Sequence, residues 1–201
     1  MRELVIHIVH PDVERISDRS ARQVLKALSI SVRQAQSEDL RRFIFSLDLP
    51  YDRQHALADL MDAPIQMTPA YDLEELRKGS LVLGAVVSVA IIGEFVRVAL
   101  RRLDDDEERL TVFLALKQHL RTGWPHSVLN GVVDHLKDGG LGARMIVDKC
   151  AVREEGEQLV ADITAKTETD EDHKSIPRRK VETGDQVEAL LDQVIEEARR
   201  P

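Results

Sequence analysis

The chain has 201 residues, 43% hydrophobic and 32% charged, with a formal net charge of −8 and only four Phe, two Tyr and one Trp. These figures place it among globular proteins. They deny it a general attraction for phosphate backbones and an aromatic base-stacking platform, so nucleic acid is not an expected partner.

Residues 3–10, ELVIHIVH, alternate as a strand, with Leu4, Ile6 and Ile8 on one face and Val5, His7 and Val9 on the other. Pro11 closes it. Ser17 or Asp18 caps a helix expected to reach about Leu28, with Val24, Leu25 and Leu28 inward. SISVRQAQ and LRRFIFSLDL then alternate on either side of SED, as a β-hairpin would. Pro50 opens a short helix with Ala56, Leu57 and Leu60 inward, Pro64 ends it, and PIQMTPAYDLEELRKG reads as extended. The resulting βαββαβ order over residues 1–78 resembles the split-βαβ, ferredoxin-like module.

The segment 79–121 begins with GSLVLGAVVSVAIIGEF. Its uninterrupted apolar run, Leu81 to Gly93, would make a helix of about 20 Å, short of the roughly 30 Å of a hydrocarbon core. Extension to Leu100 brings in Glu94 and Arg97. A long central helix over 80–103, sheltered by protein, is therefore expected. Val82, Ala85, Val89, Ile92, Val96, Ala99 and Leu103 recur along it at spacings of three and four, the pattern of a heptad seam, and are the interface candidates. The seam continues through Asp106, Leu110, Phe113, Lys117 and Leu120, interrupted by the acid and the lysine. RRLDDDEERL suits either a salt-bridged helix surface or the end of one helix and the start of another. Residues 109–117 also alternate well enough for a strand.

Residues 122–201 are expected to form an α-β-β-loop-α unit. SVLNGVVDHLKDGG predicts a helix with Leu129, Val132, Val133 and Leu136 inward, stopped by Gly139 and Gly140. The stretch 142–167 reads as a hairpin turning at EEGE. Residues 167–184 form a charged loop in which Arg178, Arg179 and Lys180 are candidates for docking an acidic partner. A helix follows from Asp185, with Val187, Leu190, Leu191, Val194 and Ile195 on one face. The fold class is α+β.

Chemistry-bearing patterns are sparse. On a strand, His7 and His10 point to opposite sides and cannot share a metal. His119, His126, His135 and Cys150 match no compact zinc spacing. Cys150, the single cysteine, excludes an intramolecular disulfide and has no histidine beside it in sequence. GGLG lacks dinucleotide-fingerprint spacing, and DDDEE and ETDED lack the ligand spacing of a calcium loop. No catalytic, cofactor or metal residues are assigned, and the reading leans away from an enzyme. The expected function is that of an adaptor or assembly protein, acting on a protein partner or on itself through its central or C-terminal helix. One alternative is a membrane-associated effector in which 80–103 inserts on oligomerisation; another is a small-molecule regulatory domain. The first residues lack a signal-peptide core, so a cytoplasmic location is expected, with membrane association as the alternative.

Overall fold

The computed structural model describes residues 2–12, 17–59, 69–76, 82–103 and 105–168. In chain order the elements are β1 (Glu3–Val9), α1 (Asp18–Ser46), α2 (Tyr51–Asp59), β2 (Tyr71–Leu76), β3 (Val82–Val87), α3 (Ala90–Arg102), α4 (Asp106–Thr122), α5 (Trp124–Gly139), β4 (Met145–Glu155) and β5 (Gln158–Thr167). The strands form one mixed sheet in the order β2-β3-β1-β5-β4. β1 runs antiparallel to β3 and parallel to β5, pairing Ile6 with Ala85 on one side and with Ala161 on the other. The first strand is thus the centre of a sheet whose members come from residues 3 to 167.

The N-terminal hairpin expected between residues 29 and 47 is instead the second half of α1. Ser17 caps this helix by accepting a hydrogen bond from the Ser20 N–H at 3.1 Å. Val24, Leu28, Val32, Ala35, Leu40, Phe43 and Ile44 are buried along it at helical spacing. Ser31, Gln36 and Asp39 share that buried face and interrupt its apolar pattern. The βαββαβ order assigned to residues 1–78 is therefore not contained there. It is spread over the described chain as β1, α1–α2, β2, β3, α3–α5 and β4, with β5 added.

The long central helix is also corrected. Val82–Val87 is a strand and Ala90–Arg102 a separate helix of 13 residues. Leu83, Ala85 and Val87 are buried at a period of two, the pattern of a strand against a core. The chain turns at Ser88, whose N–H donates to the Ala70 carbonyl at 3.0 Å and whose carbonyl accepts from the Gln36 side-chain amide at 2.8 Å. Among the described residues, no helix is long and apolar enough to cross a membrane.

Two buried clusters result. One lies between the sheet and α1 with α5, combining residues such as Leu4, Ile6 and Ile8 with Val24, Leu28, Val128, Leu129 and Leu136. The other joins the C-terminal half of α1 to α2, α3 and α4 through Leu40, Phe43, Leu57, Phe95, Val112 and Leu116. Val96 and Leu120 pack against both. α1 and α5 are antiparallel and very close. A Cβ placed on Gly131 would lie 3.0 Å from the Ala35 Cβ and 3.5 Å from its Cα, atoms that no side-chain rotation can move aside. Gly131→Val is accordingly expected to cost about 1–3 kcal/mol by overpacking. Adding Ala35→Gly should recover part of that loss in a double-mutant cycle measured by urea unfolding.

Candidate functional site

α4 is a helix with apolar residues on two sides. Asp105 caps it, its carboxylate accepting from the Glu107 N–H at 2.9 Å. Asp106, Glu107 and Glu108 fill the first turn and Arg121 stands in the last, each charge placed favourably in the field of the helix dipole. The ambiguous RRLDDDEERL is thus a junction: α3 ends at Arg101 and Arg102, and α4 begins after Asp105. The inner side of α4 buries Val112 and Leu116, with Ala115 and Leu120 partly buried against the second cluster. Its outer side leaves Leu110 58%, Phe113 43% and Leu114 53% exposed. These three apolar residues sit at i, i+3 and i+4 and so form one continuous patch. Asp106 and Lys117, one turn beyond either end, are exposed too.

Several contacts fix the helix that carries this patch. Arg53 of α2 pairs with Glu108. Arg109 donates to the Leu103 carbonyl at 2.6 Å and to Asp106 at 2.7 Å. On the inner side His119 Nε2 lies 2.7 Å from the buried Asp39 carboxylate, and its ring stacks on Phe43 with centroids 4.9 Å apart. The outward residues are thus presented by a helix anchored to α1, α2 and the end of α3.

The interface candidates of the central seam do not share one helix face. Val82 and Ala85 belong to β3, half-buried and buried respectively, and Val89 is an exposed residue before α3. Ile92, Ala99 and Leu103 are buried, while Val96 is half-buried and packs against both clusters. Of the residues that continue the seam, Asp106, Leu110, Phe113 and Lys117 are exposed, while Leu120 is half-buried against the two clusters. Leu114, which that pattern omits, completes the patch. Its signal in the sequence is the doubling of apolar rows in TVFLALKQHL, more than one buried stripe requires. Arg178, Arg179 and Lys180, and the helix expected from Asp185, lie outside the described residues.

The sheet face opposite the first cluster carries a polar network. His7 Nδ1 lies 3.1 Å from one oxygen of Asp162, and Arg153 Nε donates to the other at 2.6 Å while also pairing with Glu155. Partial burial alone would raise the Asp162 carboxyl, but hydrogen bonds from Arg153 and His7 outweigh it and hold the group below its ordinary value. Such a group adds stability above the unfolded-state value, near pH 3.9, and loses it as pH falls through the depressed folded value. Asp162→Asn should therefore lower stability by less than about 1 kcal/mol at neutral pH, because the network is solvent-screened. The difference from the parent chain should vanish in acid unfolding experiments below about pH 4.

The other histidines are dispersed. His10 is buried, with Nε2 3.2 Å from the Thr167 hydroxyl. His126 lies 3.5 Å from Glu154, and His135 lies 3.2 Å from Glu38. Among the described residues no group of three His, Cys, Asp or Glu side chains is placed to hold a metal ion. Burial raises the Cys150 thiol above its ordinary value, which disfavours the reactive thiolate. No protein-family model, curated protein or solved structure matches the chain.

Proposed function

We propose that the protein is a non-enzymatic adaptor or assembly protein whose contact surface is the outer face of α4. The observation that carries this reading is the patch of Leu110, Phe113 and Leu114, exposed on a helix whose other side is already committed to the core. A contiguous apolar patch with a charged rim is the anatomy of a protein contact. The exposed aromatic at its centre supplies the kind of anchor that dominates binding energy. An extract containing the tagged full-length chain should show it in a species larger than a monomer on size exclusion. Phe113→Glu should return it to monomer size without lowering its melting temperature, since the side chain it replaces faces outward. Monomer elution of both chains, or an unchanged large species in the variant, overturns the reading.

A further inference from the structure

We infer that the occupant of the α4 face is a second copy of this chain, with the two α4 helices side by side and antiparallel. This rests on the reading of that face as a contact surface and names its partner. The outer row Asp106, Leu110, Phe113 and Lys117 is spaced four, three and four. Turned end to end, that spacing is unchanged. In an antiparallel pair Leu110 therefore meets Phe113 of the second copy, and Asp106 meets Lys117 of the second copy. A two-fold axis repeats both contacts, giving two apolar layers closed at each end by an opposite-charge pair.

Charge decides the direction. Acids occupy the first turn of α4, and Lys117 and Arg121 follow the patch toward the other end. An antiparallel pair sets each acidic end against a basic end and opposes the helix dipoles favourably. A parallel pair would set Asp106 against Asp106 and Lys117 against Lys117, like charges that select against it. Asp106 pairs with Arg109 of its own helix through one carboxylate oxygen, and its side chain is still 93% exposed. A single pair of 17-residue helices, each about 25 Å long, falls at the low end of specific interface sizes, so the association is reversible.

Sedimentation equilibrium of the purified full chain over a concentration series tests this. The parent chain should dimerise reversibly. Asp106→Arg and Lys117→Glu should each weaken dimerisation by more than about tenfold. The two substitutions in one chain should restore it, because the swapped charges again meet their opposites. As an independent measure, in a Cys150→Ser background, Asp106→Cys chains mixed with Lys117→Cys chains should join by a disulfide under mild oxidation, and neither alone should. A parent chain that stays monomeric, a double swap as weak as its singles, or crosslinking within each cysteine variant alone overturns antiparallel self-pairing. If the purified chain is monomeric yet Phe113→Glu still abolishes the large species in extract, self-pairing fails and the contact surface stands with a different protein on it. If neither preparation associates, both fail.

Discussion

Trp124→Ala should remove about 3–5 kcal/mol of stability, at the top of the range for a single core truncation. Trp124 is fully buried at the junction of α4 and α5, with Pro125 following it in the first turn of α5. It joins the cluster beneath the sheet, close in sequence to Leu120, which touches both clusters. Its removal leaves a cavity that helices anchored at both ends cannot easily collapse to fill. Against a typical total of about 5–15 kcal/mol, such a loss brings the chain near its threshold, and the melting temperature should fall by roughly 10 °C or more. Trp124→Phe separates volume from polarity. Among the described residues the indole N–H has no acceptor, and a buried unsatisfied donor is itself a cost of about 1–3 kcal/mol. Phenylalanine gives up some volume but removes that donor, so it should cost far less than alanine. Circular dichroism melts of the three chains check the ranking. As the only tryptophan, Trp124 should also fluoresce at short wavelength and resist aqueous quenchers until the parent chain unfolds.

What could be read from the residues alone follows from where local rules suffice. The Ser17 cap, the helix opened by Pro50, the inward row Leu129, Val132, Val133 and Leu136, and the hairpin turning at Gly156 all follow patterns that are complete within a few residues of sequence. The α+β class follows from them. The errors fall where local signals conflict. At the end of α1, Phe43, Phe45 and the C-cap Leu47 alternate like a strand, but the helix buries Phe43 with Ile44 and leaves Phe45 exposed. Buried Gln36 and Asp39 hid that helical row, and their burial depends on Ser88 and His119, far away in sequence. Between Val82 and Val89 nearly every residue is apolar, so a three-four spacing is met by default and carries no periodic information. There the β-branched Val82, Val86 and Val87 favour a strand. The exposed row of α4 coincides with a continuation of the seam that Asp106 and Lys117 interrupt, in a stretch whose alternation also suits a strand. Both of its sides are apolar, and the side that faces inward is set by packing on α1.

His119→Leu should be nearly as damaging as the loss of Trp124, for an electrostatic reason, and it should be reversible by a second change. Asp39 lies on the buried face of α1 with its carboxylate 3% exposed, and His119 reaches it from α4 at 2.7 Å. The ring sits between Phe43, on which it stacks, and Gly123, where an added Cβ would stand 3.1 Å from Nδ1. Leucine fills much of that space but leaves a buried carboxyl without its histidine, an uncompensated burial of about 3–5 kcal/mol. Asp39→Leu with His119→Leu removes both polar groups. Replacing a whole buried pair by apolar side chains is often neutral or stabilising, so the double variant should recover most of the loss, and urea unfolding of the cycle gives the coupling directly. The same four chains separate anchoring from docking. The pair lies on the inner side of α4, so the double variant, refolded by apolar packing, should keep the association carried by Leu110 and Phe113. Should it fold stably yet elute as a monomer, the outer face depends on the polar anchor for its geometry, and the two sides of α4 act as one unit.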